Sequence, residues 1–468
     1  MNVDARDLRT VAPSSRVTGL FGMAKCDVTP PEDIHFRNWG AATRDIAEGI
    51  HRPFAAVALT MRDGPDDDPL VLVGVDGGWW QSGDDEWFVR SAVIDHLGLD
   101  PARVMINLSH THAGPSLVRE NADRPGGEWI EPYLRTLRQG ILDAVRDALA
   151  SEAQGELRWA VGRSDLATNR SRPDPDRNRY VTGYEPSGHA DDTVLVGRVT
   201  DASERIVGTI VNYACHPTTL AWENVLLSPD YIGATRATLE DATGGAPSLF
   251  LLGACGELAP AHQYVGDVAV ADRHGRRLGL AALAALEGMP APGRQLAFDR
   301  IVESGAPLAV WLPHPAAPAP ATTDAVQLTL ELPIKDDYPP LDAIVAELEQ
   351  ATEGFQIERL NRKARLRRTL GDRDSYAFET WVWRVGDTIF VGWPGEAFSG
   401  IQESLRAAFP ELTIVVMNVV NGTIGYLPPD ALYDEDMYEV WQTPLARGCF
   451  ETLEEACTRA IDRTRVRA

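Results

Sequence analysis

Six apolar runs of strand length each stop at a glycine or proline break beside a side chain able to bind a metal or carry a proton, and that repetition limits the fold more than any other feature. Leu70–Val75 runs into Asp76-Gly-Gly, Val104–Leu108 into Ser109-His110-Thr111-His112-Ala-Gly-Pro, and Ile206–Tyr213 into Ala-Cys-His216-Pro. Ser248–Leu252 leads to Glu257, Thr388–Gly392 to Trp-Pro-Gly-Glu396, and Thr413–Val419 to Asn421 and Tyr426. The runs are rich in Val, Ile and Leu and scarcely alternate, as strands buried on both faces do. Between them lie helical stretches at Glu131–Ala150, Val268–Leu286 and Ala397–Ala408; the first carries Leu134, Leu137, Ile141 and Val145 on one face. The pattern predicts an α/β fold, one mixed sheet with flanking helices. In such sheets ligands bind outside the carboxyl ends of the strands, so the polar residues that follow the runs are expected to meet there.

Composition narrows the partners. The formal net charge of -24 works against nucleic acid and against anionic bilayers. Lys25, Lys335 and Lys363 are the only lysines, so no Lys-rich arm exists to offset it. Five cysteines without a C-x-x-C spacing suggest neither a disulfide framework nor a zinc knuckle. The first residues lack the apolar core of a signal peptide, and no run reaches the ~18 apolar residues of a membrane span. The expectation is a cytoplasmic protein acting on a small-molecule substrate, with no nucleic-acid or membrane partner; a homo-oligomer is compatible with the sequence. Residues 1–17 read as a flexible N-terminal arm and 18–468 as a single catalytic domain. Within it, 312–375 reads as an insertion: a Pro/Ala-rich loop over 312–323, then an Arg/Glu-laden helical stretch over 341–370. Alternating charges of that kind predict a solvated surface helix, with a covering helix, as a lid or subunit contact, the alternative.

His110 and His112 are two apart, so in extended chain both side chains leave the same face. Imidazole nitrogens plus a carboxylate make the usual first shell of a catalytic zinc, and His216 and Glu396 repeat the strand-then-ligand pattern. No G-x-S-x-G, G-x-x-x-x-G-K, G-x-G-x-x-G or H-E-x-x-H occurs, which argues against standard serine hydrolases, nucleotide enzymes and zincins.

At these residues the sequence resembles the neutral/alkaline ceramidases, zinc-dependent amidases with a mixed α/β catalytic domain. The matching stretches are Gly19–Pro31, Asn107–Pro115 (NLSHTHAGP), Asn169–Arg170, Asn212–Pro217 (NYACHP), Leu252–Pro260, Pro394–Glu396 and Asn421–Glu439 with its spaced Tyr426, Tyr433 and Tyr438. The resemblance implies that His110, His216, Glu396 and Tyr426 hold zinc, that His112 stands beside the reacting group, and that Arg170 and Tyr438 contact the substrate carbonyl. Two departures accompany it. The family's G-D-x-S-P serine stretch reads Gly256-Glu257-Leu258-Ala259-Pro260, and the carboxyl-terminal immunoglobulin-like domain is expected to be absent. Both turn the expectation away from ceramide and toward a small polar acyl compound.

The expected reaction is cleavage of an amide by zinc-activated water, with His112 or Glu257 moving protons. Asn38, Trp39, Arg170 and Arg172 would supply contacts for a polar ligand. An esterase or lactonase on the same site, and a metal-binding relative without catalysis, stay open as alternatives.

Overall fold

The computed structural model describes residues 15–467. The expected arm over 1–17 falls mostly outside them, but Arg16 and Val17 already belong to a strand. That strand, β1 (Arg16–Asp27), is the middle of an eight-stranded sheet with β2 (Ala55–Arg62), β3 (Leu70–Val75), β4 (Val104–Leu108), β5 (Ala153–Arg163), β6 (Thr193–Asp201), β7 (Ile206–Tyr213) and β8 (Ser248–Leu252). Its order is β8-β7-β6-β5-β1-β2-β3-β4. The pairs β3/β4 and β7/β8 are parallel and the others antiparallel, so the sheet is mixed, as expected.

The last two predicted strands do not join it. They belong to a second sheet of β9 (Thr323–Pro333), β10 (Ser375–Val385), β11 (Thr388–Gly392) and β12 (Thr413–Met417), in that order. The two sheets pack face to face. Trp381, Trp383, Phe390, Val415 and Met417 of the smaller sheet meet Met61, Leu72, Met105, Trp159 and Leu251 of the larger one. The alternate residues Val382, Ile389, Val391, Ile414 and Val416 turn the other way, toward helices α7 (Gly400–Ala408) and α9 (Cys449–Arg467). Both faces of these strands are buried, which is why they read as unbroken apolar runs. On the outer face of the large sheet lie α1 (Gly83–Leu97), α2 (Ile130–Ala150), α3 (Tyr231–Ala242) and α4 (Val268–Glu287). The layers run helix, sheet, sheet, helix.

The predicted insertion is only partly a loop. Residues 307–315 pair with 294–303 in a two-stranded hairpin, so 312–315 are strand. The 341–370 stretch is two helices, α5 (Leu341–Gln350) and α6 (Gly354–Leu370), broken at 351–353.

What positions the site is the way the large sheet rolls. Neighbouring strands twist by roughly 20–25° each, so eight of them carry the edges toward one another. The edge strands β4 and β8 meet through the buried Asn107, whose Oδ1 accepts from Leu252 N at 2.8 Å and whose Nδ2 donates to Asn418 O at 2.6 Å. Asn418 N in turn donates to Leu252 O. Close approach is needed beside this joint: a Cβ on Gly74 of β3 would lie 2.6 Å from Phe250 O. Asn421 completes the joint, accepting from Ile106 N and donating to Val104 O. The ends of β4, β8 and β12 are thereby tied into one corner.

Candidate active site

His110 and His112 leave that corner directly after β4. His110 has φ 66°, so the segment turns in the left-handed region rather than running extended. The pair nevertheless converges, with ring centroids 4.9 Å apart. His110 Nδ1 is 3.2 Å from Gly78 O, in the loop after β3. His216, after β7, sits with Nδ1 2.7 Å from Cys255 O and 3.1 Å from Leu258 O. Each ring therefore spends its Nδ1 proton on backbone carbonyls and turns Nε2 inward, the arrangement that sets tautomer and aim in metal-binding histidines. Both Nε2 atoms point at one carboxylate oxygen: Glu396 Oε2 lies 3.0 Å from His216 and 3.3 Å from His110. His110 Nε2 has no partner besides this carboxylate, and His112 Nε2 is buried without a hydrogen-bond partner. Ligand atoms of His110, His112 and His216 all lie within 4.8 Å of one another, close enough to share an ion.

Glu396 is delivered by the Trp-Pro-Gly break after β11. Residues 396–397 pair in parallel with 426–427, and Glu396 stands opposite Tyr426. The Tyr426 hydroxyl accepts from Arg170 Nη2 at 3.2 Å, and Arg170 Nε donates to the buried Glu439 at 3.1 Å.

The charge states suit metal binding. Burial lowers His216 to about 4, with Arg170 repelling its cation, and holds His112 well below its ordinary value, with His110, His216 and Arg362 adding repulsion. Neutral imidazoles offer lone pairs. Burial alone would raise Glu396, but a proton on the imidazole nitrogens facing it, or a cation in its place, reverses this and holds it ionised. Burial pushes the Tyr426 phenol up, and Glu396 and Tyr438 push the same way. A bound cation inverts that logic at a directly contacting oxygen. Two or three histidines with a carboxylate, in a corner where His112 Nε2 is orphaned, form a donor set that fits zinc.

A cleft opens onto His110, His112 and Glu396, walled by Trp79, Trp80 and Trp381. Tyr438 lines it, its hydroxyl accepting from Gln442 Nε2 at 3.3 Å. A second cleft on the other side of His112 is lined by Trp39, Arg170 and Tyr438 among others. Asn38 lines this second cleft, but its Nδ2 is committed to Gly114 O, bracing the turn after His112.

Two expected site residues are elsewhere. Both Glu257 oxygens accept from Ser399 N, at 2.9 and 3.0 Å, so the carboxylate ties down the start of α7 and lines neither cleft. Arg172 pairs with Glu185 at the surface, 54% exposed, and lines neither cleft. Asp76, the acid after β3, is likewise structural, in a bidentate pair with the buried Arg236. Ala259 is fully buried in a short bridge to Thr168.

Other wall residues escaped the sequence reading. Trp79 and Trp80 directly follow Asp76-Gly-Gly, a place where the strand-end rule could have found them. Arg362 had no such signal. It comes from α6, expected as a solvated surface helix, which instead contributes Arg362, Arg365, Leu366 and Thr369 to the cleft wall.

With this geometry in place, the comparisons decide the family. The model of the neutral/alkaline non-lysosomal ceramidase N-terminal region matches residues 20–261, more than half the chain. The chain belongs to the neutral/alkaline non-lysosomal ceramidase family. Relatives include a neutral ceramidase of Pseudomonas aeruginosa, 26% identical over 220 residues, and one of Oryza sativa subsp. japonica, 26% identical over 244. These matches cover 46% and 47% of this chain but only 32% and 29% of the relatives, about a third of their length. A solved neutral ceramidase from Pseudomonas aeruginosa superimposes with a TM-score of 0.66 at 18% identity, over 96% of this chain and 74% of that one. A ceramidase complexed with C2 gives 0.65 at 16% identity, with the same coverage. The ceramidase fold thus extends through β9–β12 and α9, beyond the residues the family model matches.

Proposed function

We infer that the protein is a zinc-dependent hydrolase that cleaves an amide bond of a polar acyl compound. The observation that carries the reading is the pairing of tied and free ring nitrogens. His110 and His216 are fixed through Nδ1 on backbone carbonyls and bring both Nε2 atoms to one Glu396 oxygen, while His112 Nε2 is buried beside them with no hydrogen-bond partner. Burying such groups without a partner is costly unless something binds there. His110, His216, Glu396 and Tyr426 would hold the ion. Zinc there would polarise an acyl carbonyl and lower the pKa of a bound water toward ~7.

The rest of the work falls to the chain's own groups. His112, neutral and with a free Nε2, would serve as the base that takes a proton from an attacking water and passes it to the leaving amine. Glu257, tied to Ser399, is not positioned for it. Arg170 and Tyr438 carry the hydrogen-bond donors nearest Tyr426 on the cleft wall, suited to charge that develops on the carbonyl oxygen. Ala259 offers no nucleophile, so no acyl-enzyme is formed at that position.

Membership of the ceramidase family favours an amide over an ester or lactone. Among the described residues no helix is long and apolar enough to cross a membrane. The -24 charge opposes docking on anionic lipid, which supports a substrate taken from solution. The test is a hydrolysis screen of short N-acyl amides, O-acyl esters and lactones, with long-chain ceramide in detergent as competitor. Amide turnover lost on chelation and restored by zinc is expected. Turnover indifferent to chelators, or efficient on ceramide alone, contradicts the reading.

A further inference from the structure

The two clefts share a wall and differ in how far their arginines are already paired. His112, Arg362, Tyr426 and Tyr438 line both. The cleft on the β3 side holds Trp79, Trp80, Tyr376 and Trp381, and its own Arg90 and Arg365 are bonded to Glu86 and to Gln81 and Asn121. The other receives Arg170, Arg359 and Arg362, and the only carboxylate on its wall is Glu358.

Partners account for part of this positive charge. Arg170 is neutralised by Glu439 behind the wall, and Glu358 accepts from Arg362 Nε at 3.0 Å. Arg362 Nη2 donates to Asn38 O, which leaves Nη1 without a protein partner. Arg359 has no carboxylate within 4 Å among the described residues. Its guanidinium lies over the Trp441 ring, 4.1 Å from the centroid. Three guanidiniums therefore face two carboxylates, and one positive charge is left over in a chain whose net charge is -24. Arg359 and Arg362 are three residues apart on α6 and so present on one helix face, with planar forks suited to a carboxylate or similar oxyanion. Stacking on Trp441 fixes the free guanidinium without using its hydrogen-bond donors.

From this geometry we propose that the substrate amide carries an oxyanionic group, a carboxylate or phosphonate, seated against Arg359 and Arg362, with its flat apolar half in the Trp79–Trp381 cleft. The proposal rests on the hydrolase reading of the same site and names its substrate class. The amide then lies across the shared wall, beside His112. Arg359 and Arg362 are specificity-determining residues that need not touch the reacting atoms.

The experiment compares N-benzoylglycine, its neutral glycinamide counterpart and N-benzoyl-aminomethylphosphonate on the zinc-loaded protein. One arm measures hydrolysis, the other binding by tryptophan fluorescence. A charge-assisted bond worth the usual 1.5–3 kcal/mol predicts that the anionic compounds are preferred over the glycinamide by ~10-fold or more in both arms. In Arg359→Gln and Arg362→Gln the preference should collapse, through KM rather than kcat, whereas an anion held by the metal alone would keep it. Equal binding of the charged and neutral compounds, or none of either, overturns the proposal whatever the turnover. Equal hydrolysis of all three overturns it and leaves the hydrolase reading standing. If nothing is hydrolysed, the hydrolase reading fails for such amides and the binding arm decides the anion site. Glycinate and phosphonate, compared with each other, say which oxyanion the arginines fit.

Discussion

The histidines at this corner are alike in sequence and separated only by what their nitrogens touch. His110 and His216 have Nδ1 on carbonyls, whereas His112 stands between Trp39 and Trp79, ring centroids 5.2 and 5.0 Å away, with Nε2 free. His112 lacks the carbonyl bond at Nδ1 that aims the other two rings, so it is assigned the proton and they are assigned the ion. His112→Ala is therefore expected to keep its zinc and lose ~10²–10⁴-fold in kcat, the usual share of a positioned acid or base. Loss of zinc with activity, measured by metal analysis of the variant, would make His112 a ligand instead. Glu257 yields a second prediction. Burial raises its carboxyl from 4.5 to about 7, against the opposing bonds from Ser399. Between those values the folded chain keeps a proton that the unfolded chain has released, so stability falls as pH rises from 4.5 through 7 and stays lower above. Glu257→Gln removes that loss. Its stability should gain on the wild type between pH 5 and 8 by at most ~3 kcal/mol, since each tenfold change in proton affinity is worth ~1.4 kcal/mol. Its kcat should stay within ~10-fold, below the loss expected for a catalytic acid or base; a larger loss would return Glu257 to the chemistry. His110, His216 and Glu396 were legible because each follows an apolar strand. Glu257 follows one too, and the rule that found the others overreached: it says where a side chain starts, not which way it turns.

At the scale of elements, the strands named from sequence are those buried on both faces, and the structure reproduces them almost residue for residue. Of the strands that sequence reading left unnamed, β2 is apolar and buried up to Arg62, whereas others hide their apolar character behind charge. β5 carries Glu156 and Arg158, paired at 2.8 Å and buried, and Arg16 of β1 reaches the same glutamate. Such pairs look like surface until the partner strand is known. The helix α6 errs the other way, reading as solvated because its arginines alternate with polar residues, while Arg362 and Arg365 turn inward onto the cleft. The element that aims the site is the β4 edge, and its joint with β8 depends on Asn107. Asn107→Ala orphans Leu252 N and Asn418 O, each costing ~1–3 kcal/mol when buried. Chemical denaturation should register a loss of ~2 kcal/mol or more, accompanied by weaker zinc binding because His110 follows three residues later. A variant that is destabilised yet binds zinc as tightly as the wild type would show that the joint does not set the site.

For the whole molecule, the two-sheet core is what the sequence could not announce, since a strand buried against a second sheet looks the same as one buried against a helix. Trp383 lies wholly within that core and donates from Nε1 to Ala102 O at 2.6 Å, just ahead of β4. Trp383→Ala should cost ~3–5 kcal/mol and lower the midpoint of one cooperative transition, because both sheets share the core it leaves. Two separate transitions in calorimetry would mean that the sheets fold independently. The corner where both sheets end holds the candidate metal site, drawing His110 and His216 from one and Glu396 and Tyr426 from the segments that follow the other. The most direct measurement is the zinc content of the purified chain beside that of His216→Ala, with circular dichroism to show that the variant is folded. About one zinc per chain in the wild type and little in the folded variant is the predicted result, in line with a site of three protein ligands plus an open position or four ligands. Full zinc occupancy in His216→Ala, or an active wild-type chain free of metal, would contradict it.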